Sequence, residues 1–225
     1  VINGAERVVV SQIHRSPGVI FCHEKGVYSS RIIPYRGSWL EFEIDQKKEL
    51  IYAKIDRKKK ILGTIFLRAL GYSTREEIIR AFYDVEKVSV VDTNEAKEEL
   101  IGKVLADAVY SKDLETGEEK RIYRAGEKLH LHDVDELILH GVSEITVLKL
   151  DSESSLNSTM IINCFEREDI RFTKEGSEND EPSKEDAISA VYSVLMPVEP
   201  ITVEAAEKDL ETMFFSLRRY DLGRV

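Results

Sequence analysis

The chain has 225 residues, enough for one large domain or two small ones with a buried core. Its two cysteines, Cys22 and Cys164, lack the close spacing of a zinc site or a disulfide framework, which favours free thiols in a reducing compartment. There is no apolar run of membrane-spanning length and no signal-peptide pattern. The composition thus argues against a membrane protein or a disulfide-rich secreted protein, and we expect a cytoplasmic one.

The net charge of -10 hides an asymmetry along the chain. Residues 1–91 contain 16 Lys and Arg against 11 Asp and Glu, a net charge of +5, whereas residues 92–225 contain 16 against 31, a net charge of -15. A basic part is compatible with a polyanionic partner, and an acidic part repels nucleic acid. A solvated basic face would produce the same bias.

The first stretch predicts a strand that ends in polar groups. Residues 8–10 are three valines, which favour a strand, and Ser16-Pro17-Gly18 predicts a turn. Gln12, His14 and Arg15 precede that turn. Such groups at the end of a strand either present a recognition surface or cap a sheet edge, and the sequence leaves both interpretations open.

Strands and then helices follow. A strand is predicted over residues 27–36. A hairpin follows it, because a strand that starts at Trp39 alternates apolar and acidic residues from Leu40 to Asp45, and residues 50–56 form the partner strand. Helical spacing predicts helices over residues 61–70 and 75–83, with Phe82 facing inward. The second helix is expected to begin with a capping box, Thr74 and Glu77. The chain closes with helices capped by Ser183 and Thr202, the latter with Leu217 inward.

The middle of the chain predicts a separate unit. Short strands are expected at residues 103–110, 120–123, 145–150 and 160–165, with a turn at Thr116-Gly117 and a helix over 134–140. We therefore predict an α+β protein with a discontinuous domain, residues 1–95 and 175–225, interrupted by a small β-rich insertion over 96–174. Residues 174–186 are polar and predict a linker.

No catalytic or metal-binding constellation is visible in the sequence. An Asp-x-Asp-x-Asp run, a glycine-rich phosphate loop and a nucleophile with a neighbouring base are all missing. His130, His132 and His140 lie close to Asp133 and Asp135, but they lack a cysteine partner, and we predict no metal site there.

Several segments stand out in order along the sequence: Glu6–Gln12, His14–Gly18, Arg31–Leu40, Ile55–Arg57, Pro200–Ala206 and Arg219–Leu222. Together they resemble the second domain, called the lobe, of the bacterial DNA-directed RNA polymerase β subunit. Their number and order make the signal specific, and residues 98–170 resemble the lineage-variable insertion of that subunit. Because the sequence begins without methionine, we expect a segment of a longer polypeptide.

The resemblance implies a non-catalytic part of a nucleotidyltransferase. In that family the lobe forms one wall of the DNA cleft and faces downstream duplex DNA and the displaced non-template strand. Magnesium is held by the partner β′ subunit, so no cofactor is expected in this chain. The implied partners are DNA, the β′, α and ω subunits and a sigma factor. An alternative is an interaction scaffold whose acidic insertion binds a transcription factor or subunit without nucleic-acid affinity.

The resemblance also implies roles for individual residues. Trp39 would stack on an unpaired non-template base, and Arg15 would help line a pocket for the next guanine, with Asp221 as a further member. Asp56 and Arg57 would support that surface. An indole suits sequence-tolerant stacking, and arginine offers donors to phosphate or guanine. Without the resemblance, the sequence favours a partly buried hairpin anchor for Trp39 over a stacking platform.

Other positions carry smaller implications. Val10 and Gln12 match the edge of the rifamycin pocket, most of which would lie outside this chain. Residues 58–60 are lysines that would approach phosphates. The loop at residues 22–28 is shorter than in many family members, and Gly223 stands where serine is common.

Overall fold

The computed structural model describes residues 1–112, 119–150, 159–172, 181–197 and 202–223. It has the α+β fold predicted from the sequence, with helices and antiparallel sheets. The largest sheet has five strands in the order β1-β2-β3-β4-β5. These strands are β1 (Gly18–Glu24), β2 (Val27–Ile33), β3 (Leu40–Asp45), β4 (Leu50–Ile55) and β5 (Ile61–Leu62).

Strand register divides the side chains of this sheet between two unlike faces. Phe21 is opposite Ser30, which is opposite Phe42, and alternate residues along each strand share a face. We call the face with Phe21, Tyr28, Ser30, Phe42, Ile44 and Ile51 the apolar face. The opposite side, the charged face, carries Ser29, Arg31, Glu41, Glu43 and Lys54.

Helix α1 (Gly63–Leu70) packs near β4 on the apolar face. Its Phe66 is fully buried and makes edge-to-face ring contacts with Phe42, at 6.1 Å between centroids, and with Phe214, at 5.8 Å. Helices α6 (Lys184–Leu195) and α7 (Val203–Phe215) also contact α1. One apolar core thus joins the strands to the C-terminal helices.

The remaining elements lie between α1 and α6 in the sequence. Two further sheets are two-stranded pairs, β6 with β9 and β7 with β8. Helix α2 begins with the predicted capping box, which is confirmed. The elements are α2 (Arg75–Phe82), β6 (Val85–Ser89), α3 (Asn94–Leu100), β7 (Val109–Lys112), β8 (Glu119–Tyr123), α4 (Leu131–Leu139), β9 (Glu144–Leu148) and α5 (Met160–Phe172).

Helix α5 falls within the predicted insertion, residues 96–174, and packs against α1 and β4. Its Cys164 is buried in the core that contains Phe66, and burial raises the pKa of this thiol to about 11. The side chain of Glu168 is also fully buried and accepts a hydrogen bond from Nε of Arg68 at 3.1 Å. Burial raises the pKa of the Glu168 carboxyl above its ordinary value. The boundaries of the insertion stay a prediction, although these contacts join its last helix to the rest of the chain.

Several predicted local features are wrong. Residues 6–16 form no strand, and Val9 is 97% exposed, because no described strand lies beside this segment. The strand predicted over residues 160–165 is the start of α5, whose Ile161, Ile162 and Phe165 are buried on one helical face. Two side chains predicted to face inward, Phe82 and Leu217, are exposed. The turn at 116–117 and residues 174–180 of the linker lie outside the described ranges.

Candidate nucleic-acid interface

A tight turn after β4 holds Trp39 in place. Asp56 and Arg57 have φ angles of 47° and 60°, in the left-handed region that few non-glycine residues adopt. The Asp56 amide donates to the Trp39 carbonyl at 2.9 Å, and the Trp39 amide donates to Oδ1 of Asp56 at 2.8 Å. These reciprocal hydrogen bonds fix the backbone of Trp39 at the start of β3.

Arg57 packs on the indole that this turn positions. Its guanidinium carbon lies 5.4 Å from the centroid of the Trp39 ring, within the range of a cation–π contact. Trp39 is half-buried, and it borders two cavities, one of about 500 Å³ and one of about 220 Å³. The indole is thus held by its neighbours and still reaches open space.

The larger cavity lies against the charged face and is lined by Arg15 and Trp39 together. Arg15, Lys25 and Arg57 line it without an ion-pair partner among the described residues. Two further cations are neutralised: Arg31 pairs with Glu41 at 2.8 Å, and Lys54 pairs with Glu43. The cavity therefore keeps an excess of positive charge next to an aromatic ring. Sequence patterns did not single out Lys25, since its place here depends on the fold of the β1–β2 hairpin.

The acidic residue Glu43 is held ionised by two lysines. Burial opposes its ionisation, but hydrogen bonds from Lys54 and Lys60 outweigh that effect and hold the pKa of the carboxyl below its ordinary value. Lys60 also lies 5.4 Å from the centroid of the Tyr52 ring. The alternation of β3 in the sequence predicts that Glu43 and Phe42 lie on opposite faces of the sheet, but it does not identify the lysine partners of Glu43.

The lysines expected to approach phosphates are partly engaged within the protein. Lys58 donates from Nζ to the Leu195 carbonyl at 2.6 Å, at the end of α6, where a cation is favourable. Lys60 pairs with Glu43. Lys59 is exposed. Of the three, Lys59 is therefore the most available to an external anion.

Asp221 is tied to the loop before Trp39. Its backbone forms two hydrogen bonds with Arg36, at 2.8 and 3.1 Å, and its Oδ1 accepts from the Gly223 amide at 2.8 Å. Asp221 does not line either cavity that Trp39 borders. Gly223 has a φ angle of 74°, which glycine adopts without strain and serine does not.

The other residues singled out in the sequence do not line the two cavities that Trp39 borders. Val10 and Gln12 lie in the exposed segment 6–16, away from regular structure.

The rings of His130 and His132 stack at 6.2 Å between centroids. Among the described residues, no group of three or more His, Cys, Asp or Glu is arranged to hold a metal ion. None of the helices in the described ranges is long and apolar enough to cross a membrane.

Comparison with known proteins identifies the class. A family model described as RNA polymerase Rpb2, domain 2, matches residues 5–165, well over half of the sequence. The chain therefore belongs to the RNA polymerase Rpb2 domain 2 family. The matched range extends over most of the segment predicted as an insertion.

The relatives are bacterial β subunits. Over its whole length the chain is 63% identical to the DNA-directed RNA polymerase subunit beta of Treponema denticola, 60% identical to that of Treponema pallidum and 53% identical to that of Borrelia garinii. It spans 19% of the length of each. The resemblance to the lobe of the bacterial β subunit is thus confirmed, whereas the individual DNA contacts stay predictions.

Proposed function

We propose that the chain serves as the lobe of a bacterial RNA polymerase, forming a wall of the DNA cleft and holding DNA without performing chemistry. Its family and its relatives support this role. In the assembled enzyme it would work in the cytoplasm with the β′, α and ω subunits, a sigma factor and DNA. The catalytic magnesium would belong to β′. Val10 and Gln12 would border the rifamycin pocket, and the chain alone would bind that drug poorly.

The observation that carries the DNA contact is the position of Trp39. The indole is held by Arg57 and opens onto a cavity that Arg15 and Lys25 also line. An aromatic ring next to unpaired cations suits single-stranded DNA, because bases stack on the ring while cations attract phosphates. Trp39 would stack on a non-template base, and Arg15 would bind the next guanine. Asp56 would keep the indole in place, and Asp221 would anchor the preceding loop.

A fluorescence titration tests this contact directly because Trp39 is the only tryptophan. Adding a short single-stranded DNA should change the tryptophan emission. In an anisotropy assay with labelled DNA, Trp39→Ala should weaken binding by about 1–3 kcal/mol, the usual contribution of one stacked base. Binding should also weaken with added salt, since counterions are released from the phosphates.

Tyr110→Ala provides a matched control, because Tyr110 is an exposed aromatic residue on β7, outside both cavities. This variant should bind DNA like the unmodified chain. Unchanged tryptophan emission at saturating DNA, together with equal affinities for Trp39→Ala and the unmodified chain, would contradict the proposed contact.

An interaction scaffold is the second candidate. It is favoured by the charge of residues 92–225, which is -15, and by Leu131 and Leu139, which are exposed on α4. This function predicts capture of a basic protein partner that is lost in Leu131→Ser/Leu139→Ser and unaffected by Trp39→Ala. Pull-down with both variants separates the two functions. Deleting residues 98–170 would be a poor test, because it removes most of α5 from the core.

A further inference from the structure

A second cavity lies on the apolar face of the five-stranded sheet, opposite the cation-lined one. Its volume is about 430 Å³. The sheet forms one wall, and two residues of α1 with one each from α2 and α5 close the other sides. The lining comprises Phe21, Cys22, Tyr28, Ser29, Ser30, Phe42, Ile44 and Ile51 from the strands, and Gly63, Leu67, Phe82 and Ile161 from the helices.

The lining of this cavity is almost entirely apolar. None of the described residues that line it is charged, and the polar side chains that the strand register places on this face of the sheet are those of Tyr28 and Ser30. Aromatic side chains remain exposed at its rim, with Phe21 81% and Phe82 53% accessible to solvent. Water in contact with a concave apolar surface and exposed aromatic groups is unfavourable in free energy, so burying that surface is favourable. Exposed apolar patches of this kind often mark binding sites.

We propose that this cavity binds an uncharged aromatic small molecule. Ligand pockets have volumes of about 300–1,000 Å³ and apolar linings with few polar groups. Since a cavity of about 150 Å³ accommodates benzene, this one has room for a molecule with two or three rings. The Ser30 hydroxyl, between Phe21 and Phe42 in the register, is the group that would orient it.

A peptide segment fits the same cavity less well. Its backbone amides and carbonyls would be buried against a wall that offers hardly any hydrogen-bond partners, and an unpaired buried polar group costs about 1–3 kcal/mol. A charged ligand would lose its hydration with nothing to pair with it. Size and polarity therefore select a neutral, largely aromatic ligand.

The probe for this site is N-phenyl-1-naphthylamine, a neutral aromatic dye whose emission rises in apolar surroundings. Titrated into the full 225-residue chain, it should give a saturable increase with a stoichiometry of one. Ser30→Phe fills the cavity and should weaken this binding by about tenfold or more, because the ligand loses its apolar contacts. The control is Ser89→Phe, the same substitution at an exposed position on β6 outside the cavity.

A second variant covers the case in which Ser30→Phe does not fold. Phe82→Lys replaces an exposed residue at the last turn of α2, where a cation is tolerated, and places a charge at the mouth of the cavity. It should also reduce binding of the dye. Naphthalene should displace the dye, whereas naphthalene-2-sulfonate should not, because its charge cannot be desolvated there.

The same titration in the assembled polymerase decides between a small ligand and a protein segment. We expect the difference between the unmodified enzyme and its Ser30→Phe form to persist. The proposal is overturned if that difference disappears in the polymerase, since another part of the protein would then fill the cavity. It is equally overturned if the dye binds the unmodified chain, Ser30→Phe and Phe82→Lys alike, or if binding does not saturate.

Discussion

The two faces of the five-stranded sheet are made by the same strands and do different work. On the apolar face, Phe42 packs against the fully buried ring of Phe66 of α1. On the charged face, Glu41 and Glu43 pair with cations around an open cavity. Burial of apolar area is the main source of stability, whereas partly exposed ion pairs contribute little. The apolar face therefore stabilises the sheet, and the charged face is available for recognition.

The largest effect is expected where the apolar face is most tightly packed. Phe66→Ala should lower the free energy of unfolding by about 3–5 kcal/mol, because it removes a fully buried ring and leaves a cavity. Urea denaturation measures this loss. Phe21→Ala is the matched control, since Phe21 lies on the same face but is 81% exposed, and its loss should stay within about 0.5 kcal/mol. Equal losses for the two variants would show that burial of a ring on this face does not determine its contribution to stability.

The helices above the apolar face also bury one ion pair, and it provides the next test. Arg68→Leu leaves Glu168 buried without its partner and should destabilise the chain by about 3–5 kcal/mol. The double variant Arg68→Leu/Glu168→Leu should be markedly more stable than this single variant, because it removes both charges of the pair and leaves neither buried alone. Urea denaturation of both variants gives the comparison. A double variant as unstable as Arg68→Leu would mean that the loss comes from packing and not from the unpaired charge.

The sequence predicted those parts of this arrangement that depend on local periodicity. The alternation between Trp39 and Asp45 identified the hairpin and its two faces, and helical spacing identified α1 and α2. The apolar run at 160–165 predicts a strand but forms the start of α5, because short apolar runs fit strands and helices alike. Residues 6–16 have strand propensity, but a strand also needs a neighbour, and a sequence pattern does not supply one.

The candidate interface was predictable only in part, for a related reason. The motif residues Trp39, Asp56 and Arg57 were found by resemblance, and the structure adds that the first two exchange hydrogen bonds. Neither Lys25 in the cavity nor the lysine partners of Glu43 follow from any local pattern. They depend on turns and on the registers of three strands, which are set by tertiary packing.

In the loop between β2 and β3, Gly37 tests the contact between the C-terminal segment and the residues before Trp39. A Cβ atom there would lie 2.6 Å from Cδ2 of Tyr220 and 3.0 Å from the Arg219 carbonyl. Gly37→Ala should therefore destabilise the chain by about 1–3 kcal/mol, measured by urea denaturation, and speed tryptic cleavage after Arg219.

Gly71→Ala separates backbone strain from this clash. Gly71 has a φ angle of 121°, close to the 126° of Gly37, but a Cβ atom there would meet nothing within 4 Å. We expect Gly71→Ala to lower the free energy of unfolding through backbone strain alone and to leave tryptic cleavage after Arg219 unchanged. If both variants speed that cleavage equally, the contact with Tyr220 does not hold the segment.

The smallest effect concerns Glu43 on the charged face, and it is visible through pH. Because the folded-state pKa of Glu43 is lowered, its contribution to stability is present above the ordinary carboxyl pKa and is lost as the pH falls through the folded value. Glu43→Gln should therefore cost about 0.5–1 kcal/mol near neutral pH and progressively less in acid, measured by urea denaturation across the pH range. Glu24→Gln, in the same cavity without an ion pair among the described residues, is the matched control and should cost less at neutral pH than Glu43→Gln. If Glu43→Gln costs as much in acid as at neutral pH, its pairs with Lys54 and Lys60 act through packing, and the distinction between the two faces is weaker than their composition indicates.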